Sequence, residues 1–129
     1  ASALEGLRLS RESLKTVGAS PGAGIIHALP PDVCGLTRTA QIADYLAGES
    51  ARQCGPCRNG LPTLAELLDE LAHGRVDDAL VKEIRRIAGL VDGRGSCRHP
   101  DGTARMIRSA LVTFASDIDA HRRRGCESA

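Results

Sequence analysis

From residue 32 onward, apolar side chains recur at intervals of three and four, the period of an amphipathic helix. Leu36, Thr39, Ala40, Ala43, Leu46 and Ala47 fall on one face and predict a first helix running to about Ser50, with Asp32 placed to cap it. Leu61, Leu64, Leu67, Leu68 and Leu71 form a second stripe. Pro62 suits its first turn and Gly74 its C-terminal stop. Val76, Leu80, Ile84, Ile87 and Val91 make a third, with Gly93 beyond its end. A fourth helix, capped by Asp101, carries Ile107, Ala110, Leu111, Phe114 and Ile118. Its last turn, His121 to Arg124, reads as a solvated end whose cations match the negative pole of the helix. None of these helices is long enough to be stable alone, so their stripes must bury one another. The fold class expected is mostly α, an antiparallel four-helix bundle.

Residues 1–33 break this pattern. Ser10 to Lys15 allows a turn or two of helix, and Gly18 to Gly24 is a loop by its glycines and proline. Ile25–Leu29 reads as a short β-strand ended by Pro30-Pro31, although a lone strand leaves both edges unpaired. Residues 1–33 are therefore expected to be an N-terminal arm: the end of a preceding domain, or a segment lying on the helices. Residues 34–129 are expected to form the helical domain.

The 129 residues suit one domain. With Tyr45 and Phe114 as the only aromatic rings, the core must be aliphatic. Seventeen basic side chains against sixteen acidic ones give a net charge of +1. That balance and the scarcity of rings speak against a nucleic-acid binder. No apolar run is long enough for a transmembrane segment. Five cysteines without a secretory signal favour a reducing, cytoplasmic setting, in which paired cysteines point to metal or redox chemistry.

Cys54-Gly55-Pro56-Cys57 reads as a CxxC loop at the mouth of the second helix, and Cys97 lies in the loop before the fourth. In an antiparallel bundle those two loops share one end, which gathers three thiols at one pole. Four readings stay open on the residues alone. One is an iron–sulfur cluster, which needs thiolates, N–H donors and a dry shell. Another is zinc, held by Cys54, Cys57, Cys97 and His99. A third is a redox dithiol, since Cys-Gly-Pro-Cys at a helix N-terminus has a lowered thiol pKa; here, however, a helix rather than a strand precedes it. The last is a chance CxxC pair in a reduced protein, which would leave a metal-free helical structural or docking module. Cys126 in the polar tail is either a free thiol or a ligand folding back. Cys34 is expected to be a small buried apolar residue, His27 structural, and His73 a helix-end cap. Arg52, Arg58, Arg94 and Arg98 flank the cysteine loops, where they would offset site charge or guide an acidic partner.

The run Glu49-Ser-Ala-Arg-Gln-Cys-Gly-Pro-Cys-Arg-Asn-Gly60 resembles the E-S-C-G-x-C-x-P-C-R-x-G motif of the flavoprotein (F) subunit of bacterial NADH-quinone oxidoreductase, respiratory complex I. Gly95-Ser-Cys97-Arg-His-Pro-Asp101-Gly102-Thr103 matches that family's later segment carrying its fourth cysteine. Gly22-Ala-Gly24-Ile-Ile and Asp32-Val-Cys34 are similar to the stretch leading into its helical domain. There Cys34 matches a cysteine that is not a ligand. The resemblance implies the C-terminal iron–sulfur binding region, with Cys54, Cys57 and Cys97 carried over as ligands. The first ligand position holds Ala51, so the chain is a divergent member. Three thiolates imply a [3Fe–4S] cluster, or a [4Fe–4S] cluster whose fourth iron takes water, His99, Asp101, Cys126 or a partner's ligand; zinc in a reworked site stays open. The resemblance also implies that the FMN and NADH sites lie in an upstream domain outside this chain. Its role would be to relay single electrons, without catalysis of its own, from a flavin-containing domain or subunit to a ferredoxin-like or other iron–sulfur acceptor. Any membrane association would be peripheral, through those partners.

Overall fold

The computed structural model describes residues 6–74 and 76–124, so Cys126 lies outside the described residues. Helix α1 (Arg11–Lys15) is a single capped turn in which the Ser10 hydroxyl accepts the Ser13 N–H at 3.1 Å; it buries none of its residues. The strand expected over Ile25–Leu29 does not form, and no strand occurs among the described residues. Ile25 and Ile26 are 84% and 72% exposed. With no second strand to pair with, the backbone of this run gains more from water than from an edge left open.

Four long helices form the bundle: α2 (Gly35–Gly48), α3 (Leu61–His73), α4 (Asp78–Val91) and α5 (His99–Thr113). Successive helices pack on one another, and α5 returns to α2. Leu36, Leu61, Leu64, Leu68, Leu71, Ile84 and Ile107 are almost wholly removed from water, giving the aliphatic core that the lack of rings demanded. At α4 the Asp77 carboxylate caps the helix by accepting the Leu80 N–H at 2.8 Å. Among the described residues no helix is long and apolar enough to cross a membrane.

Several boundaries differ from the periodic pattern. Helix α2 starts at Gly35 rather than after Asp32, because the Val33 N–H closes a turn onto the Pro30 carbonyl at 3.1 Å. Cys34 then occupies the cap position without a side-chain cap bond. The fourth stripe is split at Phe114 into α5 and α6 (Ala115–Arg124), where φ −102° and ψ 28° interrupt the helix. The Phe114 ring lies on the start of α2, so close that a Cβ at Gly35 would come within 2.2 Å of it. The bend turns Ile118 and His121 inward. His121 is thus buried, not part of a solvated end. Helix α5 begins at His99, which leaves Asp101 inside its first turn instead of at its cap.

The connection from α2 to α3 and that from α4 to α5 meet at one pole. The His99 Nε2–H donates to the Leu46 carbonyl at 2.8 Å, and a Cβ at Gly60 would lie 2.4 Å from Val91 Cγ2. Two substitutions separate backbone crowding from helix propensity. Gly35→Ala should lower the unfolding free energy by about 1–3 kcal/mol, the usual cost of overpacking. Gly102→Ala meets nothing within 4 Å and should leave stability unchanged or raise it by up to about 1 kcal/mol. Urea denaturation measures both; equal effects would contradict the packing assigned to Gly35.

Candidate metal centre

The stretch Cys54–Cys57 is more helical than its Gly-Pro composition suggests. The Arg58 N–H donates to the Cys54 carbonyl at 2.9 Å, and residues Pro56–Gly60 form a π-helical turn closed by the Leu61 N–H on the Pro56 carbonyl. Such wide turns recur at functional sites because they re-aim a side chain without ending the helix. Here the turn carries Cys57 into the interior, where it is 4% exposed, and leaves Cys54 half-buried just before it. Cys97 reaches the same pole from the opposite loop and is exposed.

Direct bonds tie the two loops together. The Cys54 sulfur accepts the Ser96 N–H, the Cys57 N–H and the Ser96 hydroxyl, and these contacts, Ser96's backbone first, pull its thiol below the ordinary range. Burial pushes the Cys57 thiol up, reinforced by its bond to Cys54 and by the negative charges that Cys54 and Cys97 would carry. Cys57 thus lies within electrostatic reach of both Cys54 and Cys97. Arg52, Arg58, Arg94 and Arg98 all lie exposed around them. Among the described residues, no three His, Cys, Asp or Glu side chains are gathered as a cage for a metal ion.

Two of the candidates named for a fourth ligand, His99 and Asp101, have duties elsewhere. His99 bridges α5 to α2 through the Leu46 carbonyl. Asp101 accepts the Gly93 N–H at 2.8 Å with one oxygen and the Arg98 guanidinium at 3.1 Å with the other, so it clamps the loop that carries Cys97. Both bonds, Gly93's first, hold its carboxyl below the ordinary range. Ala51 is exposed in the extended link between α2 and Cys54. Next to it Arg52 adopts φ +53°, a left-handed conformation costing a side-chain-bearing residue roughly 1–2 kcal/mol. The family motif has glycine at that position. Away from this pole, His27 lies in the exposed arm, and exposed His73 pairs with Asp69 in the last turn of α3 at 2.9 Å. Cys34 is half-buried at the opposite end of α2.

Ser96 and the strained Arg52 are the site features that the periodicity did not reveal. A small polar residue directly before Cys97 was the available signal for the first. For the second it was the mismatch between Arg52 and the motif's glycine.

Because the folded chain holds Asp101 ionised more readily than the unfolded chain does, its contribution to stability is complete above the ordinary carboxylate range. It is lost as pH falls through the lower, folded value. Asp101→Asn should therefore reduce the thermal midpoint at pH 7 and have a much smaller effect near pH 2. Melts followed by circular dichroism at both pH values test this, and equal effects would contradict the clamp.

Residues 37–121 match the family model described as the NADH-ubiquinone oxidoreductase-F iron-sulfur binding region. The chain is 27% identical over 92% of its length to the F subunit of NADH-quinone oxidoreductase from Streptomyces coelicolor. It is 27% identical over 84% to the corresponding protein of Rickettsia rickettsii and 24% identical over 88% to that of Escherichia coli. Each alignment covers 26% of the relative, so the chain spans about a quarter of the length of these proteins.

Proposed function

Since the chain belongs to the family of the NADH-ubiquinone oxidoreductase-F iron-sulfur binding region, we propose that Cys54, Cys57 and Cys97 are the ligands of its cluster. The observation that carries the assignment is the bonding of Cys54 to Ser96, which draws Cys97's loop onto the CxxC turn at one pole. The donor types suit the group: three thiols, with N–H donors aimed at Cys54 and with Cys57 buried on the aliphatic core; loading would draw the sulfurs closer together than they stand here.

The residues have separable tasks. Cys57 anchors the site from the buried π-turn. Cys54 receives hydrogen bonds that stabilise negative sulfur and so favour the reduced state. Exposed Cys97 marks the side open to a partner. The four flanking arginines offset negative charge and favour an acidic protein surface. When bound, the cluster supplies a one-electron carrier. Ala51 offers only a methyl group, His99 is engaged with Leu46, and Asp101 with Gly93 and Arg98. The fourth position therefore falls to solvent, to Cys126 or to a partner's ligand, or else the cluster is [3Fe–4S]. A neutral ligand in place of a thiolate leaves the site less negative and raises its potential. In this reading electrons arrive from a flavin-containing domain and leave for another iron–sulfur protein.

Anaerobic reconstitution followed by iron and sulfide counting and EPR tests the assignment. The expected result is iron and sulfide in comparable amounts and a paramagnetic cluster signal, both lost in Cys57→Ser. Uptake of zinc without iron and sulfide would overturn it. Ala51→Cys should add the missing thiolate and slow cluster loss in air. Unchanged lability would show that residue 51 does not face the open position.

A further inference from the structure

A second cysteine centre lies at the other end of α2. We propose that Cys34 is a nucleophilic thiol, activated by His121, that reacts with small uncharged electrophiles. Cys34 Sγ stands 3.3 Å from His121 Nε2, and His121 Nδ1 stands 3.3 Å from the Leu71 carbonyl. A carbonyl oxygen only accepts, so Nδ1 carries the hydrogen. In that tautomer Nε2 presents a lone pair to the thiol. Nucleophile, base and a group that orients the base are in sequence, the arrangement that activates a thiol.

The surroundings suit access as well as activation. Cys34 and His121 line an open cleft of about 650 Å³ together with Leu29, Pro31, Asp32 and Asp117. His121 is held from the core side, while Cys34 stays half-buried on the cleft side. Asp32 and Asp117 put negative charge into the same cleft and disfavour anionic reagents. Helix α2 has 14 residues, about 20 Å at the usual helical rise, which separates this pair from the three-thiol pole.

With iodoacetamide as the probe, the Cys34 sulfur forms a bond to the methylene carbon while the carbon–iodine bond breaks. Iodide leaves with the bonding electron pair. The thiol proton passes to His121 Nε2, and the Leu71 carbonyl keeps the Nδ1–H of the resulting imidazolium in place.

The experiment follows alkylation at Cys34 by peptide-mapped mass spectrometry on the cluster-loaded full chain. A cysteine that is merely packed reacts more slowly when folded, whereas an activated one reacts faster. Cys34 should react with iodoacetamide on the order of tenfold faster in the folded protein than in guanidinium-unfolded chain. The preference for iodoacetamide over anionic iodoacetate should also widen on folding. His121→Gln should remove the acceleration while iron content stays unchanged. Protection of Cys34 on folding, or an unchanged rate in a folded His121→Gln protein, would overturn the proposal. If that variant does not fold, the folded-against-unfolded comparison in the parent protein decides.

Discussion

The centre depends on one meeting: the loop before α5 bonds to the turn before α3 through Ser96 and Cys54. Cys54 and Cys97 are far apart in sequence, and only the antiparallel return of the helices brings their loops to the same pole. The aliphatic stripes make that return stable, since each helix is too short to persist without its neighbours. Close approach then needs small residues at the contact. Gly60 admits Val91, and a Cβ at Gly95 would lie 2.3 Å from Pro100 Cγ. Core and site are thus coupled. The same packing that buries the leucines brings the two cysteine loops to one pole.

At the pole, charge and burial pull in different directions. Hydrogen bonds favour an ionised Cys54, whereas burial and its neighbours oppose ionisation of Cys57. Ionising the thiols of both loops together would need compensation, of which exposed flanking arginines would supply only part from solvent. In the proposed assignment a cationic core would resolve the conflict, because it would satisfy buried and exposed thiolates alike. The corner at Ala51 is the exception to this economy. Ala51 stands where the motif has cysteine, and next to it Arg52 holds a backbone conformation suited to glycine. The two departures from the motif are adjacent.

Much of the bundle was legible in the sequence because its signals are local and periodic. The leucine stripe of α3 and the shared pole of the two cysteine loops follow from spacing and antiparallel topology alone. What was not legible depends on long-range contact. The break at Phe114 arises where its ring meets Gly35, seventy-nine residues earlier in the chain, and no local pattern announces it. The burial of His121 follows from that bend. The missing strand at Ile25–Leu29 shows the converse: β-like composition has no effect where no partner strand exists among the described residues to pair with it. In the CxxC segment, glycine and proline suggested a loop, yet proline is compatible with a helix's first turn and the chain winds into a π-turn there. Asp101 looked like a helix cap by type. Its oxygens instead serve Gly93 and Arg98, because the helix had already begun at His99.

The central claim is that one pole holds several irons between sulfurs from two loops. Anomalous scattering at the iron edge, from anaerobically grown crystals of the reconstituted protein, tests it most directly. The account predicts a compact multi-iron peak within bonding distance of Cys54, Cys57 and Cys97. A single-ion peak at the zinc edge alone, or iron bound away from those three sulfurs, would contradict it.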